Sequence, residues 1–154
     1  MINPDSGPDQ DPAAIARVTS YSSRPDLVSA VFDLTPAYAK NASKVERRME
    51  VIGRKRVRIH DRAVAHAPAE VWWFAHTEAA VELAADKRSA VLSQSGKRFA
   101  ARLGTPGEFQ VMDARPLPTS PDPKVQASNE GRRKLAVRLQ GVREAEIEVT
   151  FELA

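Results

Sequence analysis

Three histidines, His60, His66 and His76, share the middle of the chain with Asp61, and imidazole with carboxylate is the usual donor set of a zinc site. The spacing argues against it. His60 and Asp61 are neighbours on an alternating segment, so they point to opposite faces and only one of them serves any one site. No metal and no cofactor is expected. The absence of cysteine removes thiol nucleophiles and zinc ribbons and leaves the redox compartment open. There is no Gly-x-Ser-x-Gly elbow and no phosphate loop. Glu144, Glu146 and Glu148 fall on one face of a strand pattern, a solubilising stripe rather than a carboxylate pair flanking a cleft.

Two further groups have recognition chemistry. Arg47, Arg48, Arg54, Arg56 and Arg58, with Lys55, crowd one stretch in a chain of net charge +3. They either attract a polyanion or are answered by Glu144, Glu146, Glu148 and Glu152 of the final strand. Trp72 and Trp73 take opposite strand faces. One is expected in the core, and the other packs under a loop or meets solvent, unless both faces are covered. An exposed indole stacks on a sugar ring, and a nearby arginine grips a carboxylate or sulfate in bidentate fashion. Trp72 with Arg54, Arg56 and Arg58 is therefore the candidate glycan contact. The same arginines suit nucleic-acid phosphates less well, since few aromatics are available for stacking and no nucleic-acid motif appears; no nucleic-acid partner is expected.

The elements that must position these groups are strands. Alternation is clearest where Ala145, Ile147, Val149, Phe151 and Leu153 share a face, preceded by Leu135, Val137 and Leu139, with Gln140-Gly141 suited to a hairpin turn between them. Similar runs cover 15–21, 27–33, 45–52, 56–64, 71–76, 81–83, 90–93, 97–103 and 109–114, separated by turn residues at roughly 8–12-residue spacing. The spacing predicts an all-β fold, an antiparallel β-sandwich of about 9–11 short strands. One helical turn is expected near 35–40, with Thr35 as its cap and Pro36 in its first turn.

Residues 1–13, acidic and rich in proline, read as a disordered leader or linker remnant, and 14–154 as one domain. The prolines between Pro116 and Asn129 predict an extended surface loop. No apolar run approaches the ~20 residues of a helical membrane span, and no membrane partner is expected.

Four segments recur in a recognisable order. They are Asp33-Leu34-Thr35-Pro36-Ala37-Tyr38, the strand end Val57-Arg58-Ile59-His60-Asp61, Val71-Trp72-Trp73-Phe74-Ala75-His76-Thr77, and Gly96-Lys97-Arg98-Phe99-Ala100-Ala101-Arg102-Leu103. Together they resemble the C-terminal β-sandwich of heparinase II/III-like polysaccharide lyases, over most of the chain. The resemblance implies that Asp33, Thr35, Tyr38, Asp61, Trp73, His76 and Thr77 are structural. Asp33 and Thr35 would hold a turn, the Tyr38 hydroxyl and the His76 ring would bond to backbone, and Thr77 would satisfy a turn. The family's catalytic tyrosine and histidines, and any metal, lie upstream of this segment. It further implies an accessory domain, not catalytic alone, whose partners are the preceding helical-toroid and sheet domains of a parent lyase. That lyase would act by β-elimination on an acidic, uronate-containing polysaccharide, heparan-like or alginate-like, and be periplasmic or secreted if bacterial. An apolar patch around Val28, Val31 and Phe32 would be left uncovered without those domains. The rival reading is a stand-alone carbohydrate-binding module for acidic glycans.

Overall fold

The computed structural model describes residues 1–4, 10–115, 127 and 129–154. Nine strands follow in order: β1 Arg17–Arg24, β2 Leu27–Asp33, β3 Ala42–Ile52, β4 Arg56–Thr77, β5 Ala80–Leu83, β6 Ser89–Gln94, β7 Lys97–Leu103, β8 Phe109–Asp113 and β9 Arg133–Leu153, with one short helix, α1 Thr35–Tyr38. The all-β antiparallel fold expected from alternation is what forms. All strands belong to one sheet, ordered β1-β2-β3-β4-β9-β7-β6-β5, with β8 paired to β9.

Eleven sequence runs become nine strands because two pairs of them fuse. The runs at 56–64 and 71–76 are one 22-residue strand, β4, and those at 135–139 and 145–153 are one 21-residue strand, β9. The hairpin expected at Gln140-Gly141 does not form. Gly141 has φ +66° and supplies a kink inside β9, opposite the place where the β4 register shifts between Val64 and Val71. Bulges of this kind let a strand leave one layer of a sandwich and enter the other. Arg56 to Val64 pairs with Glu152 to Glu144 in the first layer, and Val71 to Thr77 pairs with Leu139 to Arg133 in the second, where β8 completes the sheet.

The core lies between these two layers. Val45, Ala63, Ile147, Val149 and Leu103 of the first layer meet Val71, Trp73, Leu135, Val137 and Phe109 of the second. Trp73 stacks on Phe151, ring centroids 6.4 Å apart. Tight turns close the true hairpins: Ser95 and Gly96, both at positive φ, form the two-residue loop between Gln94 and Lys97, a conformation in which glycine carries no Cβ penalty.

The helical turn is where it was expected, but its cap is different. Thr35 makes no cap to the helix; Asp33 Oδ1 accepts the Thr35 amide at 3.0 Å, while Thr35 Oγ1 accepts the Val45 amide at 3.0 Å and ties the turn to β3. The described part of 1–13 is docked on the domain. Ile2 is buried and bridges to Val71, and the Asp11 amide donates to the Ala37 carbonyl at 2.9 Å. Most of the expected loop between Pro116 and Asn129 lies outside the described residues.

Candidate functional site

Between α1 and β3 on one side and the second-layer half of β4 on the other lies a cleft of about 460 Å³. Its wall includes Tyr38, Arg47, Asp61, Trp73 and His76, brought from three separate sequence segments. Arg47 and Asp61 are opposite one another on β3 and β4, and the guanidinium grips the carboxylate through two bonds, Nε to Oδ1 at 2.7 Å and Nη2 to Oδ2 at 2.6 Å. The hydrogen bond to Asp61 raises the Arg47 pKa above its ordinary value. Tyr38 is buried and its hydroxyl bonds the Gln10 side chain. Trp73 is buried with its indole N–H unpartnered, the one buried side-chain polar atom so placed among the described residues.

His76 lies at the outer end of this wall, tilted against Phe74 at 6.3 Å. No backbone group bonds its ring among the described residues, contrary to the expectation. His76 is exposed, and partial desolvation, then the Lys134 ammonium across the strand pair, holds its pKa below the ordinary value. Lys134 is itself buried, donates to the Arg115 carbonyl at 3.1 Å, and has its pKa lowered by desolvation. Thr77 Oγ1 accepts the Ala79 amide at 3.0 Å, closing the turn that follows β4. Asp33, outside the cleft, is held below the usual carboxylate range by its bonds from Thr35. Asp61 is occupied by Arg47, and among the described residues His76 has no carboxylate partner to orient it.

The candidate glycan residues are not brought together. Trp72 is only 8 % exposed; it stacks on Phe74 at 5.4 Å, lies under the Arg138 guanidinium at 5.1 Å, and donates its indole N–H to Glu70. Both tryptophans are thus buried, on opposite faces of β4. Glu70 accepts Arg138 at 2.5 Å, which with the Trp72 bond keeps its pKa below the ordinary range. Arg56 and Arg58 occupy the far end of β4. Arg56 pairs with Glu152 at 3.2 Å and Arg58 with the buried Glu50 at 2.5 Å, while His60 lies 3.0 Å from Glu146. Arg54 is in the turn before β4 at positive φ. The basic stretch is answered by glutamates, from β9 as one sequence reading had it and also from Glu50 of β3. No cluster of three or more His, Cys, Asp or Glu with metal-ligand placement occurs among the described residues.

Sequence reasoning missed Arg47 as the partner of Asp61. The signal was there: the turn at Ile52-Gly53-Arg54 puts the hairpin's centre at Arg54, and Arg47 with Asp61, like Glu50 with Arg58, is equidistant from it.

No family model matches the sequence, and no curated protein matches it. Solved structures do share the fold. The heparan sulfate lyase HepC of Pedobacter heparinus matches with TM-score 0.66 at 13% identity, over 90% of this chain and 21% of its own. A heparinase III matches with TM-score 0.66 at 12% identity, again over 90% of this chain and 21% of its own. A proposed aldose 1-epimerase from Escherichia coli matches with TM-score 0.53 at 10% identity, over 92% of this chain and 69% of its own. At such identities the likeness is one of fold, and the chain spans about a fifth of the heparinase III chains.

Proposed function

We propose that this chain serves as the C-terminal β-sandwich of a heparinase II/III-like polysaccharide lyase. In this reading it is an accessory domain that packs on a preceding sheet domain and fixes it relative to the catalytic toroid. β-Elimination on a uronate-containing acidic polysaccharide is carried out by residues of those other domains.

The observation that carries the reading is a face left uncovered. Tyr21, Ala30, Met49, Ile59 and Val149 form one continuous rung across β1, β2, β3, β4 and β9, so all five side chains lie on the inner face of the first layer. Val149 is 0% exposed, whereas Tyr21 is 67% and Met49 40% exposed. The second layer stops at β4 and α1 covers only the Ala42–Val45 end of β3, which leaves Tyr21, Met49 and Val51 of the β1–β3 wing without a cover. Val18 is exposed on the same wing, and Val28 and Phe32 share its inner face half-buried. Val31, expected in this patch, is buried and points to the opposite face. A contiguous apolar surface that continues a core is the mark of a docking face.

Binding of the dye ANS tests the exposed face. The purified chain is expected to enhance ANS fluorescence strongly, and Tyr21→Lys with Met49→Lys to reduce the enhancement severalfold while leaving the β-rich circular dichroism intact. An isolated chain that leaves ANS dark would contradict the reading.

A further inference from the structure

The side of β4 that borders the cleft is an open strand edge. In an antiparallel strand both main-chain groups of a residue point to one side, and the side alternates along the chain. Glu70 and Trp72 point away from β9: the Asn3 amide donates to the Glu70 carbonyl at 2.8 Å, and the Trp72 amide to the Met1 carbonyl at 2.9 Å. By the same alternation Phe74 and His76 turn their N–H and C=O groups towards the cleft. No strand pairs with them there among the described residues, since β3 parts from β4 at Ala65 and Met1 to Asn3 reach only as far as Trp72. An open edge of this kind is a template for strand addition.

We propose that the Phe74–His76 edge of β4 receives a further β-strand, main chain to main chain, supplied by the sheet domain with which this chain assembles; the inference rests on the accessory-domain reading above. Three observations converge on it. The first rung already exists, in the Ile2 to Val71 bridge. A strand that prolonged this rung beside Trp73 to Thr77 would lie in the 460 Å³ cleft, against Leu34, Tyr38 and Val45, and would carry the second layer out over the bare β1–β3 wing. The buried, unpartnered Trp73 indole N–H stands in the wall of that cleft and would find an acceptor on the incoming strand.

The register also fixes the chemistry of the occupant. Residues opposite Trp73 and Ala75 would face inward and be apolar. Those opposite Phe74 and His76 would face outward, on the side that carries Lys134 and Arg138, and acidic residues suit them. These outward residues are also the ones whose amides pair with β4.

The test is a short capped peptide alternating valine and glutamate, added to the isotope-labelled chain, with amide exchange at Phe74 and His76 read by NMR. Methylating the valine amides leaves the pairing edge whole, so this peptide should slow exchange at Phe74 and His76 at least about tenfold. Methylating the glutamate amides should abolish the effect. His76→Pro deletes one edge donor that β9 does not use, so it should keep the fold and weaken the first peptide. Equal responses to both peptides, or exchange at Phe74 and His76 that stays unchanged at millimolar peptide, would overturn strand addition. If ANS binding persisted in that case, the docking face would stand and only its strand-pairing mode would fall.

Discussion

Arg47 and Asp61 form a bidentate pair in which Asp61 is largely shielded from solvent, at the floor of the cleft. Removing the carboxylate leaves a half-buried guanidinium without its acceptor. Asp61→Ala is therefore expected to lower unfolding stability by about 1–3 kcal/mol in a urea titration; an unchanged midpoint would show the pair to be energetically idle. His76 gives a pH signature. Its folded pKa is depressed by partial desolvation and Lys134, so the unfolded chain takes up the proton more readily. The contribution from neutral His76 is in full above the ordinary value of 6.5 and is lost as pH falls through that value towards the folded one. His76→Gln is expected to flatten the fall in melting temperature between about pH 7.5 and 5.5, and parallel curves would contradict this. Asp33 and Glu70, both depressed, add losses only farther down, below their ordinary values of 3.8 and 4.5.

At the scale of elements, two long bent strands build the sandwich. β4 and β9 each serve both layers, and Gly141 inside β9 holds the bend at φ +66°. A Cβ there meets no neighbour, so the penalty of Gly141→Ala is conformational alone. It is expected to cost about 1–2 kcal/mol, read as a lowered denaturation midpoint, and a neutral result would remove the kink from this account. This residue also explains why the hairpin was expected and did not form. A left-handed glycine serves a tight turn and a strand kink equally well, and only the partner strand, through Val142 opposite Ala69, decides between them. The individual strands were legible because alternation is a local signal: β2 and β7 begin and end where their patterns do. The merger of runs into β4 and β9 was not, because it depends on pairing between segments far apart in sequence. Trp72 shows the same limit at the site. Its position opposite Trp73 was readable, whereas its cover by Phe74 and Arg138 comes from the fold.

For the molecule as a whole, the two layers are unequal. The first layer runs the full width of the sheet, the second covers only its centre, and the β1–β3 wing ends in exposed Val18, Tyr21, Met49 and Val51. In the accessory-domain reading proposed above a neighbour would cover that wing, whereas on the charged outer face Arg56 and Arg58 are matched by Glu152 and Glu50 of the chain itself. The residues that resemble the lyase motifs maintain turns, an ion pair and a cleft wall. The most direct measurement is the ultraviolet absorbance of the unsaturated uronate released by β-elimination, with the purified chain incubated separately with heparan sulfate and with alginate. No rise is expected with either polymer from a chain that retains its β-rich circular dichroism. A rise that Tyr38→Phe or His76→Ala abolished would contradict this and make those residues catalytic.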